Sequence, residues 1–286
     1  MSRTRAGAED VTAVIVSFNN AELTKQCVEA LSAAHVPRAI IWDNSTIKAE
    51  SYALRALMDS GSVEVLSDGA NHGFGAGNNR AVAEVESEYV LLVNPDCLVN
   101  PDTVGVLRDV LADAPDIGIV APRMMYPDGT YGYAGGPRPS MLKELAAATR
   151  IDERLPPRVR RTAVRVFERV TGQRGLIASV SGGAEVDLDW VSAFCVLLPT
   201  AVYRSVAGFD ERFFLYFEDV DLCERIRAAG YRVVLARQAS ALHYESTSTS
   251  TAKSEQYWRG LTTYFIIRGA RFQASLASVV GRVARS

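Results

Sequence analysis

Four strand-sized runs rich in β-branched and aliphatic residues, each followed by a helical pattern, constrain this chain more than any other feature. They are Val11-Thr-Ala-Val-Ile-Val16, Ala39-Ile-Ile-Trp42, Val63-Glu-Val-Leu66 and Tyr89-Val-Leu-Leu-Val93. Nearly continuous apolar runs belong to strands buried on both faces, and strand–helix alternation demands right-handed crossovers and a parallel sheet. The first intervening helix has Leu23, Cys27, Ala30, Leu31 and Ala34 at helical spacing behind Asn19 or Asn20 as cap. The next is predicted over Ser51–Ser60, stopped by Gly61, and a third over Asn78–Glu88. A fourth opens at Pro101 with Val104, Leu107 and Leu111 on one face, and Ile117–Ala121 closes the series as a strand. The fold class is therefore α/β, with a Rossmann-like, mostly parallel sheet flanked by helices.

The alternation breaks after Pro122. Tyr126 to Pro139 is rich in Gly, Pro and Tyr and reads as loop. Lys143 to Arg174 carries nine basic residues against four acids, the pattern of a solvated helical face or of a basic edge turned to an anionic acceptor or membrane. Strand structure resumes over Trp190–Leu198, and Tyr231–Ala236 is the last core strand, leading to Ala241-Leu-His243. Between them a helix turns Leu222, Ile226 and Ala229 inward and stops at Gly230. Ser246–Thr251 reads as a flexible polar loop, and Ser254–Ser286 as a helical tail bearing arginines. The expected organisation is a disordered N-terminus (1–10), a main domain (11–246) and a loop with helical tail (247–286). Within the main domain, 11–122 is the ligand-binding half, 123–187 an acceptor-side insert, and 188–246 the half that carries catalysis.

Composition removes several classes. Lys+Arg 31 against Asp+Glu 33 leaves a net charge of −2, so no global basic field recruits nucleic acid. The four cysteines lie far apart in apolar or helical stretches, which suits buried reduced thiols rather than disulfides or zinc. Residues 1–10 do not resemble a signal peptide, and no apolar run approaches the ~20 residues of a membrane span. The expectation is a cytoplasmic protein.

Ligands in open parallel sheets sit at the carboxyl ends of strands, and four polar clusters fall at such ends here. Ser17-Phe-Asn19 follows the first strand, Asp43-Asn44-Ser45 the second, Asn71 to Arg80 the third and Asn94-Pro95-Asp96 the fourth. Ser17, Asn19, Asp43, Asn44, Asn71, Gly73, Asn78 and Asn94 are thus candidate cofactor-binding residues. The Asn94–Asp96 turn could simply bond its own backbone, but at this place Asp96 suits Mg²⁺ or Mn²⁺ completed by phosphate oxygens. Asn71-His-Gly-Phe-Gly-Ala-Gly-Asn78 permits close backbone approach, yet it lacks the G-x-G-x-x-G spacing and follows the third strand, so a dinucleotide fold is disfavoured.

Glu218-Asp219-Val-Asp221 could serve only as carboxylates complementing a helix dipole. The preceding Phe213-Phe-Leu-Tyr-Phe217 is too apolar for an ordinary loop, and such a wall raises a carboxyl pKa toward that of a general base. Asp219 and Glu218 are the candidate catalytic residues. His243, one of three histidines, ends an apolar stretch before the polar loop and could contact metal or diphosphate.

Val14-Ile-Val-Ser-Phe-Asn19, Asp43-Asn-Ser45, Asn71-x-Gly-Phe-x-x-Gly-Asn78, Asn94-Pro-Asp96 and Gly208-Phe-Asp-Glu-Arg-Phe-Phe-x-Tyr-x-Glu-Asp-Val-Asp-Leu222 occur in that order. Together they resemble the family 2 glycosyltransferases of GT-A fold, in particular the bacterial rhamnosyltransferase-like branch, over residues 11–245. The resemblance implies an inverting, metal-dependent transfer of one sugar from a nucleotide-diphosphate donor, with dTDP-L-rhamnose the expected donor. It implies that Asp43 binds the nucleobase beside Ser17 and Asn19. It also implies that Asp96 is the metal-binding acid, Asp219 the base, and His243 a metal or diphosphate ligand. The acceptor would be a hydroxyl of a glycan, a lipid-linked glycan or a natural product, with peripheral membrane contact through the basic insert and tail. Three departures stand out: Asn94 begins the acidic turn, Gln256-Tyr-Trp-Arg259 only jumbles the Gln-x-x-Arg-Trp of processive relatives, and Val191-Ser-Ala-Phe-Cys195 lacks the Ser-Gly-small pattern that the resemblance implies for this strand. The competing readings are a non-catalytic nucleotide-sugar-binding protein on the same fold, a transferase using a UDP- or GDP-sugar, and a nucleotidyltransferase. The last would need a basic Gly-rich loop where Ser17–Asn20 stands.

Overall fold

The computed structural model describes residues 10–148, 183–244 and 250–283. Most of the basic run, 149–174, and much of the Ser246–Thr251 segment fall outside them. A nine-stranded mixed sheet organises the rest. Its strands are β1 (Val11–Ser17), β2 (Arg38–Asp43), β3 (Val63–Leu66), β4 (Tyr89–Val93), β5 (Cys97–Val99), β6 (Ile117–Met125), β8 (Glu185–Asp187), β10 (Cys195–Pro199) and β11 (Arg232–His243). The order is β3-β2-β1-β4-β10-β6-β11-β5, with β8 beside β11. A separate two-stranded ribbon pairs β7 (Gly135–Gly136) with β9 (Trp190–Val191).

The first half is the parallel array that the apolar runs predict: β1 pairs β2 and β4, and β2 pairs β3, all parallel. Further on, β10 runs antiparallel to both β4 and β6, while β6 and β11 are parallel to each other. Every side chain of β1 and β4 is buried, as expected of strands covered on both faces. The covering helices include α1 (Ala21–Ala33), α2 (Lys48–Arg55), α3 (Phe74–Val82) and α4 (Thr103–Asp113). After these come α5 (Met141–Ala148), α6 (Thr200–Ser205), α7 (Glu218–Ala228), α8 (Ser250–Ile267) and α9 (Arg271–Val283).

Several elements differ from the sequence reading. Helix α3 starts at Phe74, not Asn78, because Gly73 adopts φ 82° and ends the preceding loop four residues early. Asn20 occupies the N-cap of α1 without capping it; its Oδ1 instead accepts from Ser17 Oγ and the Phe18 backbone. Pro101 stands in the turn before α4 rather than inside it. Asp10, expected within the disordered N-terminus, is held by Arg108, whose Nε and Nη2 each donate to it at 2.8 Å. Ala229 is exposed. The tail is two helices, parted at Gly269 with φ 69°. The expected Trp190–Leu198 strand is broken at Ser192–Phe194, and that break belongs to the site.

The main core fills both faces of the sheet. A second cluster gathers Phe213, Phe217 and Val220 with Trp258, Leu261, Tyr264 and Phe265 of α8 and with Ala274 and Ala277 of α9. It docks the C-terminal helices against the segment that leads into Glu218 and Asp219.

Candidate active site

Parallel pairing sets Ser17 opposite Asp43, so the ends of β1 and β2 lie at one height. The loops that follow are stitched together mainly by side chains named as ligand candidates. Asn19 Oδ1 accepts from the Thr46 and Ile47 amides, at 2.9 and 3.1 Å, and its Nδ2 donates to Thr46 Oγ1 at 3.0 Å. Ser17 Oγ is fully buried between Asn20 Oδ1 and Thr24 Oγ1. Asn44 Oδ1 accepts from Trp42 Nε1 and the His72 amide, while its Nδ2 donates to Gly73 O at 3.0 Å. Asn71 Oδ1 accepts from Gly73 N, and the buried Asn78 donates to Phe74 O one turn back. These five side chains therefore shape the rim from behind. Asp43, at the end of β2, is buried with Oδ1 accepting from Ser45 N at 2.8 Å.

The glycines of the third-strand loop serve close packing of protein on protein. A Cβ on Gly73 would stand 2.3 Å from Phe214 O, and Phe74 N donates to that same carbonyl at 3.0 Å. The loop is thereby clamped to the apolar segment before Glu218. Asn79, which sequence reasoning passed over, finishes the clamp: its Oδ1 accepts from Tyr203 Oη (2.6 Å) and Phe209 N (2.9 Å), and its Nδ2 donates to Phe209 O. Its only sequence signal is its place beside Asn78 in a buried helix.

Asp96 and His243 meet because β11 returns antiparallel beside β5 and sets His243 opposite Cys97. Asp96 Oδ1 lies 3.2 Å from His243 Nε2. Both side chains are about nine-tenths buried, and neither ring nitrogen of His243 makes a hydrogen bond. Leaving buried imidazole nitrogens unsatisfied costs roughly 1–3 kcal/mol. A carboxylate and an open imidazole are a donor set that fits a divalent cation with oxygen ligands completing its shell. Among the described residues no third His, Cys, Asp or Glu joins them.

The break between β9 and β10 ties this pair to Asp219 of α7. Phe194 O accepts from Asn94 N at 2.8 Å, and the Phe194 ring packs against His243 with centroids 5.4 Å apart. One residue earlier, Ala193 N donates to Asp219 Oδ2 at 3.4 Å. A continuous strand would point these groups into the ladder. The departure at Val191–Cys195 noted in the sequence is thus the turn that links the Asn94–Asp96 corner to Asp219.

Asp219 Oδ1 also accepts from Val220 N at 2.8 Å. Burial pushes its carboxyl above the usual carboxylate range, and the two amides pull partly back. Burial pushes Glu218 up as well, helped by the charge of Asp219, and Glu218 Oε2 has no hydrogen-bond partner. The ionised form of Asp219 is stabilised by the backbone amides of Val220, Ala193 and Asp219 itself, whereas that of Glu218 is helped only by its own amide. Asp221 is excluded from such a role: it is buried between Arg225 Nε (2.7 Å) and Arg268 Nη2 (3.2 Å).

The backbone entering α7 is strained. Tyr216 and Phe217 adopt φ 69° and 70°, the left-handed region, in succession. Helix α8 holds them there through Gly260, where a Cβ would stand 2.4 Å from Tyr216 O and 3.1 Å from Leu215 O. A glycine inside a helical pattern is the one sequence hint of this contact.

A model of the family described as Glycosyl transferase family 2 matches residues 12–174, more than half of the chain. Among curated proteins, the chain is 30% identical over 199 residues to the N-acetylglucosaminyl-diphospho-decaprenol L-rhamnosyltransferase of Mycobacterium tuberculosis, covering 66% of this chain and 61% of that protein. The chain thus spans about three fifths of the length of that relative. It is 26% identical over 241 residues to the rhamnosyltransferase WbbL of Escherichia coli, covering 81% and 82%. Among solved structures, the mannosyltransferase PcManGT of Pyrobaculum calidifontis, in complex with GDP-Man and Mn²⁺, aligns with a TM-score of 0.62 at 14% identity. That alignment covers 99% of this chain and 76% of the other, and at this identity it shows a shared GT-A fold.

Proposed function

Since this chain belongs to glycosyl transferase family 2, we propose that it is an inverting, metal-dependent transferase moving one L-rhamnose from dTDP-L-rhamnose to an acceptor hydroxyl. The observation that carries the reading is the Ser192–Phe194 turn, which bonds to Asp219 on one side and to Asn94 on the other while packing against His243. A proton acceptor and a cation-binding corner joined by one rigid turn are the two parts that glycosyl transfer from a diphosphate needs.

In this reading Asp43 and the rim braced by Asn19, Asn44 and Asn71 receive the nucleoside. Asp96 and His243 would hold Mg²⁺ or Mn²⁺. That ion, when bound, neutralises charge growing on the leaving diphosphate. Asp219 takes the acceptor hydroxyl's proton; the oxygen forms the new bond to the anomeric carbon as the bond to the diphosphate breaks, from the opposite face. Burial and the charge of Asp219 make Glu218 the harder of the two to ionise, and the backbone donors favour the negative charge on Asp219. The lipid-linked acceptor named for the Mycobacterium relative supports a polyprenyl-diphosphate glycan as acceptor, with a glycan or natural-product hydroxyl as the alternative.

Titration calorimetry with dTDP, UDP and GDP, each with Mn²⁺ and with EDTA, tests the donor half. Tighter binding of dTDP that is lost in EDTA supports the reading. A preference for UDP or GDP would keep the transferase and replace the sugar. Binding indifferent to EDTA would remove Asp96 and His243 from the metal role.

A further inference from the structure

Helix α9 is built inside out. Ala274, Ala277 and Gly281 face the protein, and a Cβ on Gly281 would stand 2.6 Å from Trp258 Cβ, so small residues let the helix lie close on α8. The bulky apolar residues point away: Phe272 is 78% exposed and Val279 55%, seven residues apart and thus on one face. Leu276, between them, is half-buried. A surface helix ordinarily turns such residues inward. Arg271 and Arg282 are exposed and lie together on one flank of this ridge. Arg259 pairs with Glu255, and Arg268 with Asp221 and Glu224, so the basic charge exposed along the ridge is that of Arg271 and Arg282, on a helix that contains no Asp or Glu. Beside the ridge an open cavity of about 850 Å³ is lined by Glu255, Arg259, Thr262, Thr263, Ser278 and Arg282.

We infer that α9 is an interfacial docking helix that seats this protein on an anionic lipid bilayer, with Phe272 and Val279 entering the headgroup boundary and Arg271 and Arg282 contacting lipid phosphates. The chemistry favours this occupant over a second copy of the chain. A two-fold contact through the same ridge would bring Arg271 and Arg282 against their own copies, with no acid on either α9 to meet them. An anionic surface attracts each basic side chain by about 1 kcal/mol, and an exposed apolar ridge with basic flanks is the composition of in-plane helices. No helix among the described residues is long and apolar enough to cross a membrane, so attachment by α9 would be peripheral.

The test is co-sedimentation of the full chain with vesicles of phosphatidylcholine alone and with 30% phosphatidylglycerol (about one lipid in three, enough for a strong surface potential). The wild type should pellet with the anionic vesicles, release at high salt, and stay in solution with the neutral ones. R271Q/R282Q should lower the partition coefficient roughly 25-fold, about fivefold per charge. F272S/V279S should abolish binding while circular dichroism and nucleotide affinity stay at wild-type values, since both side chains are outside the core. Equal binding to neutral and anionic vesicles, or wild-type binding by both variants, overturns the inference. So does a self-association, measured by sedimentation velocity, that F272S/V279S dissolves in a protein indifferent to vesicles.

Discussion

Replacing Gly260 by alanine adds one methyl group at the point where α8 touches the strained turn before Glu218. The new Cβ would lie 2.4 Å from Tyr216 O and 3.1 Å from Leu215 O, both backbone atoms that cannot rotate aside. A carbon–oxygen contact of about 3.3 Å requires helix and turn to part by roughly 0.9 Å. Overpacking of this kind costs ~1–3 kcal/mol, while alanine returns ~1 kcal/mol of helix propensity, so net destabilisation should be about 0–2 kcal/mol. The effect on turnover should be larger. Asp219 is two residues past the displaced Phe217, and a misplacement near 1 Å costs on the order of 100-fold in rate. Gly105→Ala in α4 is the control, because nothing lies within 4 Å of its added Cβ. It should stabilise by up to ~1 kcal/mol with unchanged kcat. Urea midpoints and kcat with dTDP-L-rhamnose, measured side by side, separate the two. If Gly260→Ala stabilises as Gly105→Ala does and keeps its kcat, the account of the turn as a clamp on Asp219 is wrong.

Asp219→Asn should abolish transfer and leave dTDP affinity nearly unchanged by calorimetry; retained turnover would move the base elsewhere. Asp96→Ala should instead weaken dTDP binding in Mn²⁺ and leave affinity in EDTA untouched. Because burial raises the Asp219 carboxyl, kcat/KM should fall as pH drops through a value above the ordinary carboxylate range; a fall centred near pH 4 would contradict the buried-base assignment. Glu218 is also raised in the folded state, so its contribution to stability is full below its unfolded pKa and is lost as pH rises through the folded one. Melting temperatures of Glu218→Gln should accordingly decline less with rising pH than those of wild type, and parallel curves would refute this. Asn79→Ala should cost about 2–3 kcal/mol in urea unfolding, since the Tyr203 hydroxyl and Phe209 amide lose their acceptor.

The strands were legible because burial on both faces leaves an unmistakable run of apolar residues, and β1 through β4 lie where those runs stand. Positions of polar groups along the sheet edge followed from the same runs, which is why Asp43 and Asp96 could be placed at strand ends, whereas Asp219 was singled out by the apolar Phe213–Phe217 segment before it. What a polar residue does at that edge was less legible. Asn19, Asn44 and Asn78 have the side chains of ligand-binding residues, yet the structure commits their amides to loops and helix turns, a distinction that depends on neighbours 4 to 29 residues away. Helix starts slipped wherever a single backbone angle decides them, as at Gly73. The break at Ser192–Phe194 was hidden because Trp190–Leu198 has the composition of one strand; only the pairing of β10 with β4 forces the chain to bend before Cys195.

Strand order also has a consequence for assembly. The unit β3-β2-β1-β4 is complete by residue 93, with sequential parallel pairings and short returns, and can form as soon as it is synthesised. Its β4 edge, however, stays uncovered until Cys195–Pro199 arrives more than a hundred residues later and inserts between β4 and β6. Closing a loop of that length adds little entropy beyond a shorter one but delays the contact, so β10 insertion should be the slow step of folding. Through that interval the nascent chain presents Val90 to Val93 as an open strand edge, the segment most exposed to intermolecular pairing and to chaperone capture. The same step that sets the Ser192–Phe194 turn between Asn94 and Asp219 would then also end that period of exposure.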